Sequence, residues 1–207
     1  AWGDTRHWGR PMKAKSVSTV QSDPYRAGIE LGEKLAEFRP EVLFLFSSVH
    51  YENFHELTEG LYDVLEKDDV LLLGATGDGY YETSQSSEIG AGLLALDSGG
   101  RTQWHLAFAT GVHDEPEAAA EQCMTQLQNQ LSGAAAKMYF VFSDYRTDAS
   151  RLIRELTRRA DAPVAGGMAG DDRQFERGLV FAHREPLPDG LVVLAARRRE
   201  PRSLRRR

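Results

Sequence analysis

Two glycine turns, each carrying acidic residues, are the parts of this chain that look most like a binding site. Residues 71–80 read Leu-Leu-Leu-Gly-Ala-Thr-Gly-Asp-Gly-Tyr, and residues 164–172 read Val-Ala-Gly-Gly-Met-Ala-Gly-Asp-Asp. We call residues 74–79 the first glycine turn and residues 166–172 the second. Glycines let backbone N–H groups approach a bound molecule closely, and α/β proteins usually bind ligands at the carboxyl ends of parallel strands. Each segment therefore predicts a buried strand that ends at a ligand-binding turn.

The two turns can be aligned with each other, as can the segments that precede them. The aligned residues are Gly74, Gly77 and Asp78 in the first turn and Gly167, Gly170 and Asp171 in the second. Upstream, Leu-Phe-Leu-Phe-Ser-Ser ends at Ser48 and Tyr-Phe-Val-Phe-Ser-Asp ends at Asp144. Because both similarities recur at nearly the same separation, we interpret the chain as an internal duplication.

Duplicated turns of this kind are expected to face one crevice, with the neighbouring strand ends pointing into it. The predicted ligand-binding residues are Ser47, Ser48, Thr76, Gly77, Asp78, Gly79, Ser143, Asp144, Gly167, Met168, Gly170 and Asp171. Hydroxyls, carboxylates and backbone N–H groups suit a small polar ligand. The alternative is that each aspartate only caps its own turn through a local hydrogen bond.

Catalytic and metal-binding patterns are weaker. Neither Ser47 nor Ser143 lies in the Gly-x-Ser-x-Gly elbow that exposes a nucleophile, so we expect a protein that is not an enzyme. The enzymatic alternative is a hydrolase or lyase that uses Asp78 or Asp171 as a general base. The histidines lack zinc-site spacing, and the acids lack the spacing of a calcium loop; the acids in question are Asp78, Asp144, Asp171 and Asp172. No metal site is predicted.

Composition restricts the class of protein further. The chain has 207 residues, 41% of them hydrophobic, and a single cysteine, so a disulfide framework is excluded and a cytoplasmic location is expected. No apolar run approaches the length that spans a bilayer. The net charge is −6, although residues 197–207 are rich in arginine. No membrane is expected as a partner because no segment could span one, and nucleic acid is not expected because an acidic body repels phosphate backbones.

Hydrophobic periodicity predicts a mixed α/β fold. Each half is predicted to run helix, strand, helix, strand, strand, strand, in sheets with both parallel and antiparallel pairs. Residues 42–47 and 70–73 should form a parallel pair, while Asp-Ser-Gly-Gly at 97–100 predicts a hairpin between the strands on either side. The predicted organisation is a loose arm at 1–16, a domain at 17–196 and a basic tail at 197–207. Within the domain, the two repeats are predicted at about 22–110 and 114–196.

Several of these segments together resemble the amino-terminal half of a FIST domain. The similar segments are Ser22-Asp23 before a helix, Val-Leu-Phe-Leu-Phe-Ser-Ser at 42–48, Leu-Leu-Gly-Ala-Thr-Gly-Asp-Gly at 72–79, the residues 164–172 and Gly-Leu-Val-Phe at 178–181. The resemblance spans about residues 17–196. It implies an intracellular sensory module of bacterial signal transduction that binds a small ligand such as an amino acid.

The resemblance also implies partners and an alternative cofactor. FIST proteins normally continue into a carboxy-terminal FIST module, and some act on signalling proteins such as histidine kinases. Some bacterial members bind haem and sense nitric oxide. For that alternative the axial ligand would be a neutral histidine such as His50, His55 or His105. A third possibility is an interaction module that has no small ligand and uses an exposed apolar surface.

Overall fold

The computed structural model describes residues 11–172 and 178–199. Most of the predicted arm and most of the basic tail lie outside these residues. Strand β1, Lys13–Thr19, begins within the segment predicted as an arm, and strand β12, Gly190–Arg198, extends into the segment predicted as a tail. Among the described residues, no helix is both long enough and apolar enough to cross a membrane.

Four helices form where capping residues and apolar periodicity predict them. They are α1 (Pro24–Lys34), α2 (Phe54–Leu65), α3 (Pro116–Leu131) and α4 (Ala149–Arg159). Asp23 caps α1 by accepting a 2.8 Å hydrogen bond from the Arg26 backbone N–H, and Asp148 caps α4 in the same way. Proline occupies the first turn of α1 and α3, where its missing N–H costs nothing.

The first sheet contains six strands in the order β1-β6-β2-β3-β10-β11. Besides β1, these are β2 (Val42–Ser48), β3 (Leu71–Gly77), β6 (Ala91–Asp97), β10 (Leu179–Ala182) and β11 (Glu185–Pro188). The β2–β3 pair is parallel, as predicted, and every other pair in the sheet is antiparallel. A short hairpin, β4 (Tyr80–Tyr81) with β5 (Ser86–Ser87), joins β3 to β6.

The second sheet contains four strands in the order β7-β12-β8-β9. In addition to β12 these are β7 (Thr102–Thr110), β8 (Met138–Ser143) and β9 (Val164–Met168). Here β8 and β9 are the parallel pair, and β12 is antiparallel to both of its neighbours. The order and directions therefore match those of β1-β6-β2-β3 in the first sheet. A mixed fold with parallel and antiparallel pairs is confirmed.

The two sheets pack face to face between two layers of helices. Helices α1 and α2 cover the outer face of the first sheet in one core, and α3 and α4 cover the second sheet in another. A third core lies between the sheets, where the Phe44 ring meets Phe140 and the Phe46 ring meets Phe142, edge to face, with centroids 5.2 and 5.5 Å apart. Alternate residues of β2 thus face the helices and the other sheet in turn.

The predicted hairpin at residues 97–100 was wrong, because this turn passes the chain from one sheet to the other. Strand β6 belongs to the first sheet and β7 to the second. The Glu41 carboxylate holds the turn by accepting hydrogen bonds from the Ser98 hydroxyl and the Gly100 backbone N–H, and it also accepts one from the Trp104 indole. Burial alone would raise the pKa of Glu41, but these donors outweigh it and hold the pKa below its usual value.

The predicted halves at 22–110 and 114–196 do not correspond to separate sheets. Strand β7, assigned to the first repeat, lies in the second sheet, while β10 and β11, assigned to the second repeat, complete the first sheet. The matched strand order is a similarity of topology, and the internal duplication stays a prediction.

The pairing registers also shift the expected alignment of the two turns by one residue. Gly74 lies opposite Leu45, and a Cβ there would stand 1.8 Å from the Leu45 carbonyl oxygen. Gly166 lies opposite Val141, and a Cβ there would also stand 1.8 Å from the carbonyl oxygen. Gly166, not Gly167, is therefore the counterpart of Gly74.

Candidate functional site

The two glycine turns touch each other directly. The Gly170 backbone N–H donates to the Thr76 carbonyl at 2.8 Å, and the Thr76 hydroxyl donates to the Gly170 carbonyl at 2.9 Å. The exposed Asp78 carboxylate accepts a 2.7 Å bond from the Asp172 backbone N–H. The two turns therefore meet, as expected, but through direct hydrogen bonds that leave no hollow between Thr76 and Gly170. We call this hydrogen-bonded contact between the turns the seam.

Thr76 also ties the second turn to the strand that follows it. Its side-chain oxygen accepts a 3.0 Å bond from the Leu179 backbone N–H, and the residue is 4% exposed. Asp171, next to this seam, is likewise 4% exposed. Both residues are thus placed inside the protein.

The serines at the strand ends are buried and bonded within the protein. Ser47 donates to the Ser48 carbonyl at 2.9 Å, and the Ser48 hydroxyl accepts from the His50 backbone N–H at 3.2 Å. Ser143 bonds to the Asp144 carbonyl and to the Thr147 hydroxyl. These three side chains shape the chain reversal after β2 and β8, and their hydroxyls do not line any of the hollows described below.

Asp144 has a structural role of the same kind. Its carboxylate, fully buried, accepts bonds from the Arg146 backbone N–H at 2.8 Å and guanidinium at 2.9 Å, and from the Asp189 backbone N–H at 3.0 Å. Burial would raise the pKa of Asp144, but the bonds from Arg146 prevail and the pKa lies below its usual value. With these donors in place, Asp144 anchors the loop between β11 and β12.

Gly167 and Met168 lie elsewhere, on the exposed strand β9 at the edge of the second sheet. Met168 is 38% exposed, and a Cβ at Gly167 would meet no atom within 4 Å. Neither residue lines a hollow described below.

A cleft of about 970 Å³ opens beside the seam, on the side of the β4–β5 hairpin. Its lining residues are Asp78, Gly79, Tyr80, Tyr81, Ser86, Ser87, Glu88, Ile89 and Asp172. Three of them are carboxylates and two are serines. Tyr81 is 95% exposed, so its ring is free to pack on a bound molecule. We call this space the acidic cleft.

A smaller hollow of about 420 Å³ lies on the other side of the hairpin. It shares Gly79, Tyr80 and Tyr81 with the acidic cleft, and its floor includes Phe46 and Leu94. The hairpin is held over the first sheet at several points: Gln85 donates to the Ser18 hydroxyl at 2.8 Å, Ser16 bonds to Glu82, and Tyr80 packs over Gly92. A third hollow, of about 430 Å³, opens at the opposite end of the sandwich, around Arg39 and Lys67.

Of the predicted site residues, Asp78 and Gly79 line the acidic cleft. The lining residues not predicted lie mainly on the hairpin at 80–89, which follows the first glycine turn directly. Its polar run Glu-Thr-Ser-Gln-Ser-Ser-Glu at 82–88 was the available signal, since loops at the carboxyl end of a strand commonly carry binding residues. Asp172 was named only as a possible cation ligand.

His50 stands at the border of the cleft, where its Nε2 lies 3.5 Å from the Asp172 carboxylate. Haem does not fit the described surroundings of His50 or His55. Near His50, the carboxylates of the acidic cleft would repel the propionate groups of haem. The hollow beyond the hairpin, which has an apolar floor, has no histidine in its lining. His55 is a surface residue beside Glu185. His105 lies on β7, and burial lowers its pKa. Within residues 11–172 and 178–199, no group of histidine, cysteine or acidic side chains could hold a metal ion.

Two stacked sheets between helix layers, with a polar cleft at the carboxyl end of β3, define a mixed α/β domain. The FIST N domain family matches residues 14–203. The chain therefore belongs to the FIST family, whose members serve as sensors in signal transduction.

Other comparisons add little to this. A search of curated proteins found no match. Among solved structures, a thiamine monophosphate kinase from Aquifex aeolicus is similar over 68% of this chain, with 14% identity and a TM-score of 0.32. The chain covers 41% of that kinase.

Proposed function

We propose that this chain is a non-enzymatic sensory domain that binds a small polar molecule of amino-acid type in the acidic cleft. The observation that carries the proposal is the lining of the cleft: Asp78, Glu88 and Asp172 supply negative charge around one concave space. Carboxylates pair with an ammonium group through charge-assisted hydrogen bonds. The hydroxyls of Ser86 and Ser87 suit the polar remainder of such a ligand.

Tyr81 adds an aromatic face to the same lining. Its ring extends into solvent, and a cation over a tyrosine ring gains electrostatic attraction from the ring quadrupole. A ligand carrying an amine is thus favoured over an anionic one, which the three carboxylates would repel. Amino acids and related amines are the members of this class that fit the family.

The position of the cleft links ligand binding to the packing of the two turns. Asp78 lines the cleft and also accepts the backbone N–H of Asp172, so a ligand that bonds to Asp78 changes the contact between the turns. A ligand that binds more tightly to one arrangement of this seam increases the fraction of molecules that adopt that arrangement. We propose that a partner reads this shift, either a carboxy-terminal FIST module or a signalling protein such as a histidine kinase, in the cytoplasm.

Calorimetric titration with a panel of amino acids, amines and matched dicarboxylates tests the proposal. We expect heat of binding from amine-bearing members and none from the dicarboxylates. Asp78→Asn combined with Glu88→Gln should weaken the binding by about tenfold or more, because two of the three anionic partners are removed.

A matched control changes two acids outside the cleft. Asp69→Asn with Glu59→Gln alters the net charge by the same amount and should leave affinity within about twofold. Equal weakening by both pairs would show only a general charge effect and would contradict the assigned site. Absence of binding by every amine in the panel would contradict the ligand class.

A further inference from the structure

Strand β9 has an outer edge that no described strand pairs with, since it ends its sheet. In a parallel pair, the N–H and C=O groups of successive residues in a strand point alternately toward the partner strand and away from it. Pro163 accepts from Tyr139, and Ala169 donates to Ser143, so the odd-numbered residues bond to β8. The backbone groups of Val164, Gly166 and Met168 therefore point away from β8, and four of the five residues of β9 are exposed.

Among the described residues, the other three edges of the two large sheets carry features that discourage pairing, and β9 carries none of these. Strand β1 presents Lys13 and Lys15, β11 contains Pro186 and Pro188, and the Gln130 side chain donates to the Leu106 carbonyl of β7. Charges, prolines and covering side chains are the usual protections of an edge strand. Strand β9, Val-Ala-Gly-Gly-Met, has no charge and no proline.

The first sheet shows what fills the equivalent edge. Strand β3 holds the place that β9 holds in the second sheet, and β10 pairs with it antiparallel, Ala75 opposite Val180 and Leu73 opposite Ala182. The side chains of Val180 and Ala182 enter the core between the sheets and are fully buried. At β9 no described strand fills the corresponding place, and Phe46, whose ring meets that of Phe142 opposite Gly167, is 38% exposed.

We propose that the outer edge of β9 binds one antiparallel β-strand of a partner polypeptide, with small apolar side chains at alternate positions. This strand would occupy the place that β10 occupies at β3. Its inner side chains would cover Gly167 and the Phe142 ring, which meets the Phe46 ring edge to face. The mode is strand addition to a sheet edge, in which backbone bonds give affinity and alternate side chains give selectivity.

A second copy of the chain is the less suitable occupant. Strand β2 packs over β8 through the phenylalanine rings, and β6 and β1 extend further in the direction of β9. Antiparallel pairing of two β9 strands would set them only about 4.8 Å apart. The projecting strands of the first sheets of both copies would then compete for one space, whereas a single added strand brings no second sheet with it.

The test uses a synthetic peptide with the sequence of residues 178–184, Gly-Leu-Val-Phe-Ala-His-Arg, added to isotope-labelled protein. We expect the amide protons of Gly166 and Met168 to exchange about tenfold more slowly with bound peptide, because a new strand would accept their N–H groups. A control peptide with Val180→Lys and Ala182→Lys should give no such protection.

Gly167→Lys tests the site on the protein. A Cβ there meets no atom within 4 Å, so the backbone accepts a side chain and the variant should remain folded while its charge blocks the inner side of the edge. We expect peptide affinity to fall by about tenfold or more. Gln128→Lys on α3 adds the same charge at a distant exposed position and should leave binding unchanged.

Three results would overturn the proposal. The first is absence of protection at Gly166 and Met168. The second is protection that appears instead along β3, which would mean that the peptide replaces β10. The third is a concentration-dependent dimer that Gly167→Lys abolishes, which would identify a second copy as the occupant.

Discussion

Strands β3 and β9 share a position and a close contact but differ in their surroundings. Each has a glycine pressed on the neighbouring parallel strand, Gly74 on Leu45 and Gly166 on Val141. Yet β3 is buried along most of its length and β9 is exposed. The difference comes from β10, which closes the edge of β3 only. The close contact of each glycine thus depends only on two neighbouring parallel strands. The burial of β3 depends on β10, which comes much later in the sequence.

The largest effect is expected from Gly74→Ala. The new Cβ would overlap the Leu45 carbonyl, and β3 cannot move because β2 and β10 hold it on both sides. We expect a loss of about 4 kcal/mol or more in the free energy of unfolding, measured by denaturant titration.

Gly166→Ala introduces the same overlap on a strand with one free side. Because β9 can shift outward, we expect about half that loss. Gly167→Ala, which meets no atom, is the control and should change stability by no more than about 0.5 kcal/mol. Equal losses for Gly74→Ala and Gly166→Ala would show that the open edge gives β9 no freedom.

Thr76→Val is expected to have the next largest effect. It keeps the shape of the side chain but removes the hydroxyl that bonds Gly170 and Leu179, so a buried N–H and a carbonyl lose their partner. We expect a loss of about 1–3 kcal/mol. Thr76→Ser restores the hydroxyl and should recover most of it, whereas an equal loss in both variants would point to packing rather than to these bonds.

Asp144→Asn, taken together with Ser48→Ala below, compares the end of β8 with the end of β2. The folded pKa of Asp144 is lowered, so its contribution to stability is fully present above about pH 4 and is lost as the pH falls through the folded pKa. We expect the variant to be about 1–2 kcal/mol less stable at pH 7 and to show a smaller loss on acidification. Unfolding titrations at pH 7 and pH 3 measure both.

Ser48→Ala is the matched change at the end of β2. The Ser48 hydroxyl accepts from the backbone N–H two residues on, as Asp144 does, but it carries no charge. Its loss should therefore not alter the pH dependence of stability. If Asp144→Asn and wild type lose stability in parallel on acidification, the role given to the carboxylate is contradicted.

The smallest effect is expected from Asp78→Asn. The side chain is exposed and its bond to the Asp172 N–H can be kept by the amide oxygen, so stability should change by no more than about 0.5 kcal/mol. Thermal unfolding without ligand measures this, and a larger loss would mean that Asp78 holds the turns together.

Much of the fold was predictable because its signals are local. Proline and capping residues mark the helices, and the apolar run at 42–47 marks a strand covered on both faces. The turn at 97–100 was misread since Asp-Ser-Gly-Gly reverses a chain equally well within a sheet or between two sheets. The pairing of β10 with β3 joins segments about a hundred residues apart, and no local pattern records it.

The candidate site was predictable in part for the same reason. Glycine and acid at the end of a buried strand placed Asp78 and Gly79 beside a cleft. The serines and Asp144 fit the same pattern, but each has a nearer partner in the folded chain. The cleft itself is formed by the hairpin at 80–89, whose path over β1 and β6 depends on long-range contacts such as that of Gln85 with Ser18.

Strand β12 is the last described element, yet it lies between β7 and β8 in the middle of its sheet. During synthesis the second sheet therefore has no central strand until residue 198 has left the ribosome. Until then, the edges of β7 and β8 that pair with β12 in the folded protein remain unpaired. Contacts this distant in sequence slow folding, and unpaired edges attract other chains while they last. The nascent domain should consequently depend on chaperones more than its size alone suggests.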